Sequence, residues 1–265
     1  MHSIRKIEIQ ILEHSSYKDR EIKGLWNVDS LYNPIKSERV FINNFLISQT
    51  LGQGCAYSTN DNYPRELLKN YLGRDFSQLN VNDVALKVCF LDSLYGKLFP
   101  SQKIERLVFE ASSLEKMKWR TQIIINEATR LLGSIQNKNV VNVGVVGDIL
   151  HTFKENGANI IGTDYDSSIV GSSTIYGSEI IDGNKTIETV RNSDLAIITG
   201  MTIITETIDS ILDCCKKHSV KVIVFAETGA SLASYYLKTG VDVYLSEYFP
   251  FYFFNGLSVI DVCRG

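Results

Sequence analysis

The sequence predicts an α/β protein in which a parallel sheet, covered by helices on both faces, follows a smaller α+β half. Three observations carry this. From Val140 onward, short apolar runs alternate with helix-forming stretches, the pattern of successive βαβ units. Most of these runs lead through a small residue to an acidic one: VVNVGVVGD, NIIGTDYD, LAIITGMTIITE, VKVIVFAE and VDVYLSE. Before that point, β-branched and aromatic runs come first and helical periodicity follows. A chain of 265 residues is long enough for two modest domains. The polar linker SIQNKN sets the boundary near residue 135, separating a domain of residues 1–135 from one of residues 136–265.

In chain order, Ile4, Ile7, Ile11 and Leu12 recur at helical spacing and predict a short amphipathic helix over residues 3–14. REIKGLWNVDSLYN and RVFINNFLISQTLGQGCAYS, broken by Asn-Pro and Gly, predict an antiparallel meander. Pro64 opens a helix that Gly73 closes. Asn82 is placed to cap VALKVCFLDSLYGKLF, whose apolar positions are too dense for a surface helix. Ser112 and Glu115 have capping-box spacing and start a helix with Leu114, Met117, Thr121, Ile124, Ile125, Ala128, Leu131 and Leu132 on one face, ending at Gly133. Strands are then expected at Val140–Val146, Asn159–Thr163, Leu195–Thr199, Val220–Ala226 and Val241–Leu245. Helices are expected at Asp148–Asn156, Thr186–Arg191, Glu206–Lys217 and Ser231–Lys238.

A formal net charge of −3 offers no basic surface for neutralising phosphates, which argues against a nucleic-acid partner. No apolar run approaches membrane-spanning length and no signal peptide is evident, so a cytoplasmic location is expected. The five cysteines lack CxxC spacing, and adjacent Cys214 and Cys215 project in different directions on a helix, so free packed thiols are expected.

If the apolar runs are parallel strands, Asp148, Asp164, Asp166, Glu206, Glu227 and Glu247 gather at the carboxyl edge of the sheet, where ligands of open α/β sheets bind. Asp148 and His151 share one helix face there, either as a metal or proton-transfer pair or as a helix cap beside a solvated histidine. Gly144, Gly147 and Asp164 imitate a dinucleotide fingerprint, but GxGxxG spacing is absent. Asp148 also occupies the helix end that a pyrophosphate needs. S-adenosylmethionine, a sulfonium without phosphate, escapes that objection. Thr199, Gly200 and Thr202, with Thr228 after the next strand, supply hydroxyls and a tight turn for a ligand. Glu227 is read as a metal ligand, a general base or a solvated loop charge. The aromatic segment Tyr248–Phe254 forms a pocket wall, a dimer contact or part of its own core. No GxSxG or HExxH motif is present.

Asp164-Tyr165-Asp166, the run from Ser193 to Thr202 before Thr207, and Gly240-Val241-Asp242-Val243 together resemble the bacterial and archaeal family described as "putative heavy-metal chelation" proteins. The resemblance implies a small domain similar to the enolase N-terminal domain, then a Rossmann-like domain, with a site in the cleft between them. The dense helix from Val84 to Gly96 is compatible with that layout. The chain departs from the family's pattern at Thr205-Glu206-Thr207 and at Ala226-Glu227-Thr228.

The expected function is therefore binding of a small-molecule or metal-linked ligand in an interdomain cleft, in metal handling or in making a metal-chelating metabolite. Asp148, His151, Glu206, Glu227 and Glu247 are the candidate metal ligands. Gly147, Asp148, Asp164, Thr199, Gly200, Thr202 and Thr228 are the candidate cofactor contacts, and Glu227 and His151 the candidate catalytic groups. The alternative is an enzyme acting on a small amine or amino-acid-like substrate with S-adenosylmethionine. A third reading treats the aromatic segment as the contact of a homodimer.

Overall fold

The computed structural model describes residues 2–32, 41–58, 63–102, 104–171, 177–252 and 254–265. Helix α1 (Ser3–His14) buries Ile4, Ile7 and Ile11, as its spacing dictates. After the single turn α2 (Tyr17–Arg20), the meander forms from β1 (Gly24–Tyr32), β2 (Phe41–Gln49) and β3 (Gln53–Tyr57), all antiparallel. Helix α3 (Arg65–Lys69) follows Pro64 directly. Helix α4 (Val84–Leu98) is buried along most of its length. Asp83, not Asn82, caps it, because the Asp83 carboxylate reaches the Leu86 amide at 2.8 Å.

The strand β3 lies directly on α4. A Cβ on Gly54 would fall 2.1 Å from the Cys89 carbonyl oxygen, and the Ser48 hydroxyl donates to that same carbonyl at 2.8 Å. Farther along α4, Asp92 accepts from the Cys55 amide at 2.8 Å and from the Ser231 amide at 2.6 Å, tying the meander to the second half. Burial pushes the Asp92 carboxyl up to about 7 although both amides favour its charged form.

The second half contains β4 (Ile104–Ala111), α5 (Ser113–Leu132), β5 (Asn139–Val143), α6 (Gly147–Glu155), β6 (Asn159–Asp164) and β7 (Glu179–Asp182). It continues through α7 (Thr186–Arg191), β8 (Leu195–Thr199), α8 (Met201–Ile204), α9 (Ile208–His218), β9 (Lys221–Ala226), α10 (Ala233–Tyr236), β10 (Val243–Glu247) and β11 (Gly256–Arg264). The expected strands and most expected helix positions are present. The capping box of Ser112 and Glu115 forms, and Gly133 closes α5 with φ of 76°.

One eight-stranded sheet has the order β4-β11-β10-β9-β8-β5-β6-β7. Its six parallel strands, read from β7 to β10, follow the 3-2-1-4-5-6 order of a Rossmann-like sheet. Strands β4, β7 and β11 are additions to the sequence expectation. Strand β4 interleaves charged with apolar residues and β11 carries Asp261 in mid-strand, so neither reads as a continuous buried run. Both pair antiparallel. The chain thus enters the large sheet at residue 104, ahead of the expected boundary near residue 135.

Alternation along the strands sends Val141, Ala196, Val222 and Val224 to the face that packs on the first half. Val140, Ile197, Ile223 and Leu245 face α5 and α6. Among the described residues of the aromatic segment, Phe251 is fully buried against Phe45, Ile47 and Cys55, so it joins the core and is not available to a dimer partner. Phe253 lies outside the described residues. No described helix is long and apolar enough to cross a membrane. All five cysteines are free and buried.

Candidate functional site

Parallel pairing brings the carboxyl ends of β5, β6, β8, β9 and β10 to one edge. The acids there do not form one cluster. Asp164 ends a strand four places from β10, roughly 19 Å away at ordinary strand spacing. Its two oxygens accept from the Val145 and Asp166 amides at 2.8 and 3.0 Å. Asp166 is exposed and holds Ser168 through its amide and hydroxyl. Glu206 is exposed, at a φ of 56°, in the link between α8 and α9. His151 is exposed too, with its ring 3.2 Å from Glu155 one turn on. Among the described residues, no three His, Cys, Asp or Glu side chains are placed to share a metal ion.

The hydroxyls expected to face a ligand are committed to the backbone. Thr199 donates to the Val143 carbonyl at 3.2 Å, and Thr202 donates to the Thr199 carbonyl at 2.8 Å. The Thr228 hydroxyl accepts from the Tyr57 amide at 2.8 Å. At Gly200 a Cβ would stand 2.4 Å from the Thr228 carbonyl oxygen, so this glycine lets the loops after β8 and β9 touch. Gly147 opens α6 without a side-chain cap.

Asp148, Glu227 and Glu247 do converge, on a residue the sequence reading passed over. The direction of the chain explains how. Strand β4 is antiparallel to β11, and β11 to β10, so two reversals make β4 run the same way as β10. Helix α5 therefore starts at the carboxyl edge, and its first two turns place Lys116 and Arg120, one turn apart, on the buried face. The Arg120 guanidinium lies 3.2 Å from the Glu227 carboxylate and 3.6 Å from that of Glu247. Its central carbon stands over the rings of Tyr252 at 4.0 Å and Phe225 at 4.5 Å. Thr121, beside it on α5, donates its hydroxyl to Asp148.

Arg120 is 2% exposed, Lys116 and Glu247 each 1%. Glu227 keeps partial contact with solvent, its side chain 18% exposed, and Asp148 is half-buried. Among the described residues, the Lys116 ammonium and both Glu247 oxygens have no hydrogen-bond partner. The Tyr252 amide also bears on Glu247 and favours its charge. Unpaired buried polar atoms of this kind are expensive and are rare in folded proteins.

Burial, and then the Glu247 charge, push the Glu227 carboxyl well above the usual carboxylate range, with Arg120 pulling the other way. Burial raises Glu247 as well, against Arg120, the Tyr252 amide and Lys116. Burial lowers the Lys116 ammonium while Glu247 opposes it. Burial also works against the Arg120 charge, but Tyr252, Glu247, Glu227 and Asp148 outweigh it. The cluster is thus amphoteric, two cations among three acids.

A carboxyl raised on folding binds a proton that the unfolded chain has released. Its favourable contribution is full below the unfolded value and is lost as pH rises through the folded one. Glu227→Gln removes this titration and keeps an oxygen toward Arg120. Unfolding by urea between pH 5 and 9 should show a smaller loss of stability with rising pH in the variant than in the parent chain. Parallel curves would refute the raised Glu227.

Lys116 and Arg120 had a signal. With Ile123 and Glu127 they continue at spacings of four, three and four along α5, a stripe the structure buries. Reading lysine and arginine as solvent residues hides it.

Residues 127–243 match the profile of the DUF364 family, described as "putative heavy-metal chelation". No curated protein matches the chain. A solved DUF364-family protein of unknown function from Desulfitobacterium hafniense DCB-2 is similar over 92% of this chain and 86% of its own, with a TM-score of 0.62 at 11% identity. A second, from Pyrococcus horikoshii, is similar over 97% of this chain and 99% of its own, with a TM-score of 0.52 at 15% identity. At such identities the likeness is one of fold.

Proposed function

We propose that this chain, whose residues 127–243 match a family described as "putative heavy-metal chelation", binds a small metal-linked ligand at the seam between its two halves. The observation that carries this reading is that two buried groups, the Lys116 ammonium and the Glu247 carboxylate, lack hydrogen-bond partners among the described residues, beside the partly open Glu227. Glu227 sits at the seam, since its charge acts on Cys55 of β3, whose thiol burial and then Cys89, Asp92 and Glu227 push upward.

The cluster is ill-suited to a bare cation. Arg120 occupies the space between the carboxylates, and a like charge there repels a metal ion. A metal held in an anionic chelate avoids this, because its carboxylates pair with Lys116 and Arg120 while Glu227 and Glu247 accept from any donor it carries.

Thermal unfolding with nickel or zinc, added as free ions and as citrate, nitrilotriacetate and histidine complexes, tests the reading. A chelate at about a hundred times its Kd adds about 2.7 kcal/mol, a rise of several degrees for a chain of this size. Lys116→Met should remove the rise. No rise with any complex, or an equal rise in the variant, sinks the proposal.

The raised Glu227 carboxyl also favours a second reading, proton transfer to or from a small amine or amino-acid-like substrate near neutral pH. In that reading S-adenosylmethionine is the cofactor, although Asp164, the carboxylate assigned to its ribose, already accepts two backbone amides. Calorimetric titration with S-adenosylmethionine separates the two, since only the second reading expects heat of binding.

A further inference from the structure

We propose that the chain pairs with a second copy of itself through β4, joining two eight-stranded sheets across a two-fold axis. Among the described residues, strand β4 is the last strand on its side of the sheet, with eight residues and an unpaired outer edge. Its outward face carries Ile104 at 46% and Val108 at 55% exposed, and beside them on β11 stands Leu257 at 52%. A long edge strand with exposed apolar side chains is a template for strand addition.

The sequence of β4 commits to one partner and one register. A two-fold axis perpendicular to the sheet keeps each strand's faces, so residues that meet must point the same way. Only registers centred on a residue satisfy this. Centring on Val108 sets Arg106 opposite the partner's Glu110 and Glu110 opposite the partner's Arg106, with Val108 against its own copy between them. On the other face, Leu107 meets the partner's Phe109. Centring instead on Leu107 or Phe109 sets Arg106 opposite the partner's Val108 or the partner's Ser112, and both ion pairs vanish. Opposite charges directly across an antiparallel pair favour it, as do apolar pairs. Asp261 on β11 takes the Arg106 Nε and one terminal nitrogen at 2.7 Å, and with the side chain 62% exposed the other terminal nitrogen is left for the partner's Glu110.

Light scattering on the full chain at tens of micromolar should give twice the 29.8 kDa mass of one copy. Val108→Lys and Glu110→Arg, both at exposed positions, should each give single copies that still unfold in one cooperative transition, with a midpoint that no longer rises with protein concentration. Glu179→Lys on the opposite edge strand should leave the pair intact. A single-copy parent chain, or a pair that survives both β4 substitutions, overturns the proposal. The register has its own test. Facing Val108 Cα atoms lie roughly 4.5–5.5 Å apart in such a ladder, within disulfide reach, and the native cysteines are all buried. Val108→Cys should therefore crosslink under a mild oxidant, while Glu105→Cys, facing the partner's Ala111, should not. Absence of the Val108→Cys crosslink overturns the register.

Discussion

Replacing Arg120 with methionine is expected to destabilise the fold by about 3–5 kcal/mol at pH 8, the usual cost of leaving buried charge uncompensated. Methionine fills much of the same volume and can still lie between Phe225 and Tyr252, so the loss isolates the charge. Glu227 and Glu247 lose the cation that pulls both carboxyls down, and their folded values climb further. The sign of the pH dependence follows. At pH 5 the Glu227 carboxyl, pushed up to about 8 by burial and the Glu247 charge, is neutral with or without Arg120, and the variant loses little through it. As pH rises the unfolded chain ionises freely while the folded variant resists, so the difference from the parent grows toward pH 9. Urea unfolding at pH 5, 7 and 9 reads this directly. A penalty that is flat with pH would mean that Arg120 acts through packing alone.

Gly54→Ala is expected to cost roughly 3 kcal/mol, at the upper end for overpacking. The added methyl would sit 2.1 Å from the Cys89 carbonyl oxygen and 2.4 Å from the Ser93 nitrogen. Both are backbone atoms of α4, so relief requires moving a helix or a strand and not a side chain. Movement there also loosens the Cys55 amide from Asp92, and through Asp92 the Ser231 loop that follows β9. The effect should therefore reach the second half: hydrogen exchange at Ser231 should quicken in the variant along with exchange in β3. Gly96→Ala makes a useful contrast, because its Cβ would meet Ser231 Cβ at 2.7 Å and the Ser231 carbonyl oxygen at 3.2 Å, longer contacts that fall on the turn after β9 and not on α4. If Gly54→Ala costs less than Gly96→Ala, the close approach of β3 to α4 is not what the glycine serves.

Most of the architecture is legible in the sequence because it is written in local period and local punctuation. Apolar runs followed by helices specify βαβ units, and their parallel order delivers the strand ends to one edge. Ser112 with Glu115 and Gly133 mark both ends of α5 within a few residues. Asp83 displaces Asn82 as a cap by one position, a distinction that depends on which side chain reaches Leu86. The strands β4 and β11 escaped because an edge position tolerates charge, and because Asp261 becomes acceptable in a buried strand only through Arg106 across the ladder.

By itself, then, the sequence determined the fold class, the helix boundaries set by caps, and the fact that acids end the strands. Periodicity and capping are short-range, so they survive without knowledge of the rest of the chain. Only the tertiary structure decided what those acids do. It spends Asp164 and the three threonine hydroxyls on the backbone, leaves Glu206 and His151 in solvent, and brings Lys116 and Arg120 among Asp148, Glu227 and Glu247. Whether a strand-end carboxylate is a free negative charge or half of a buried pair depends on which distant helix starts at the same edge. Here two antiparallel reversals put α5 there.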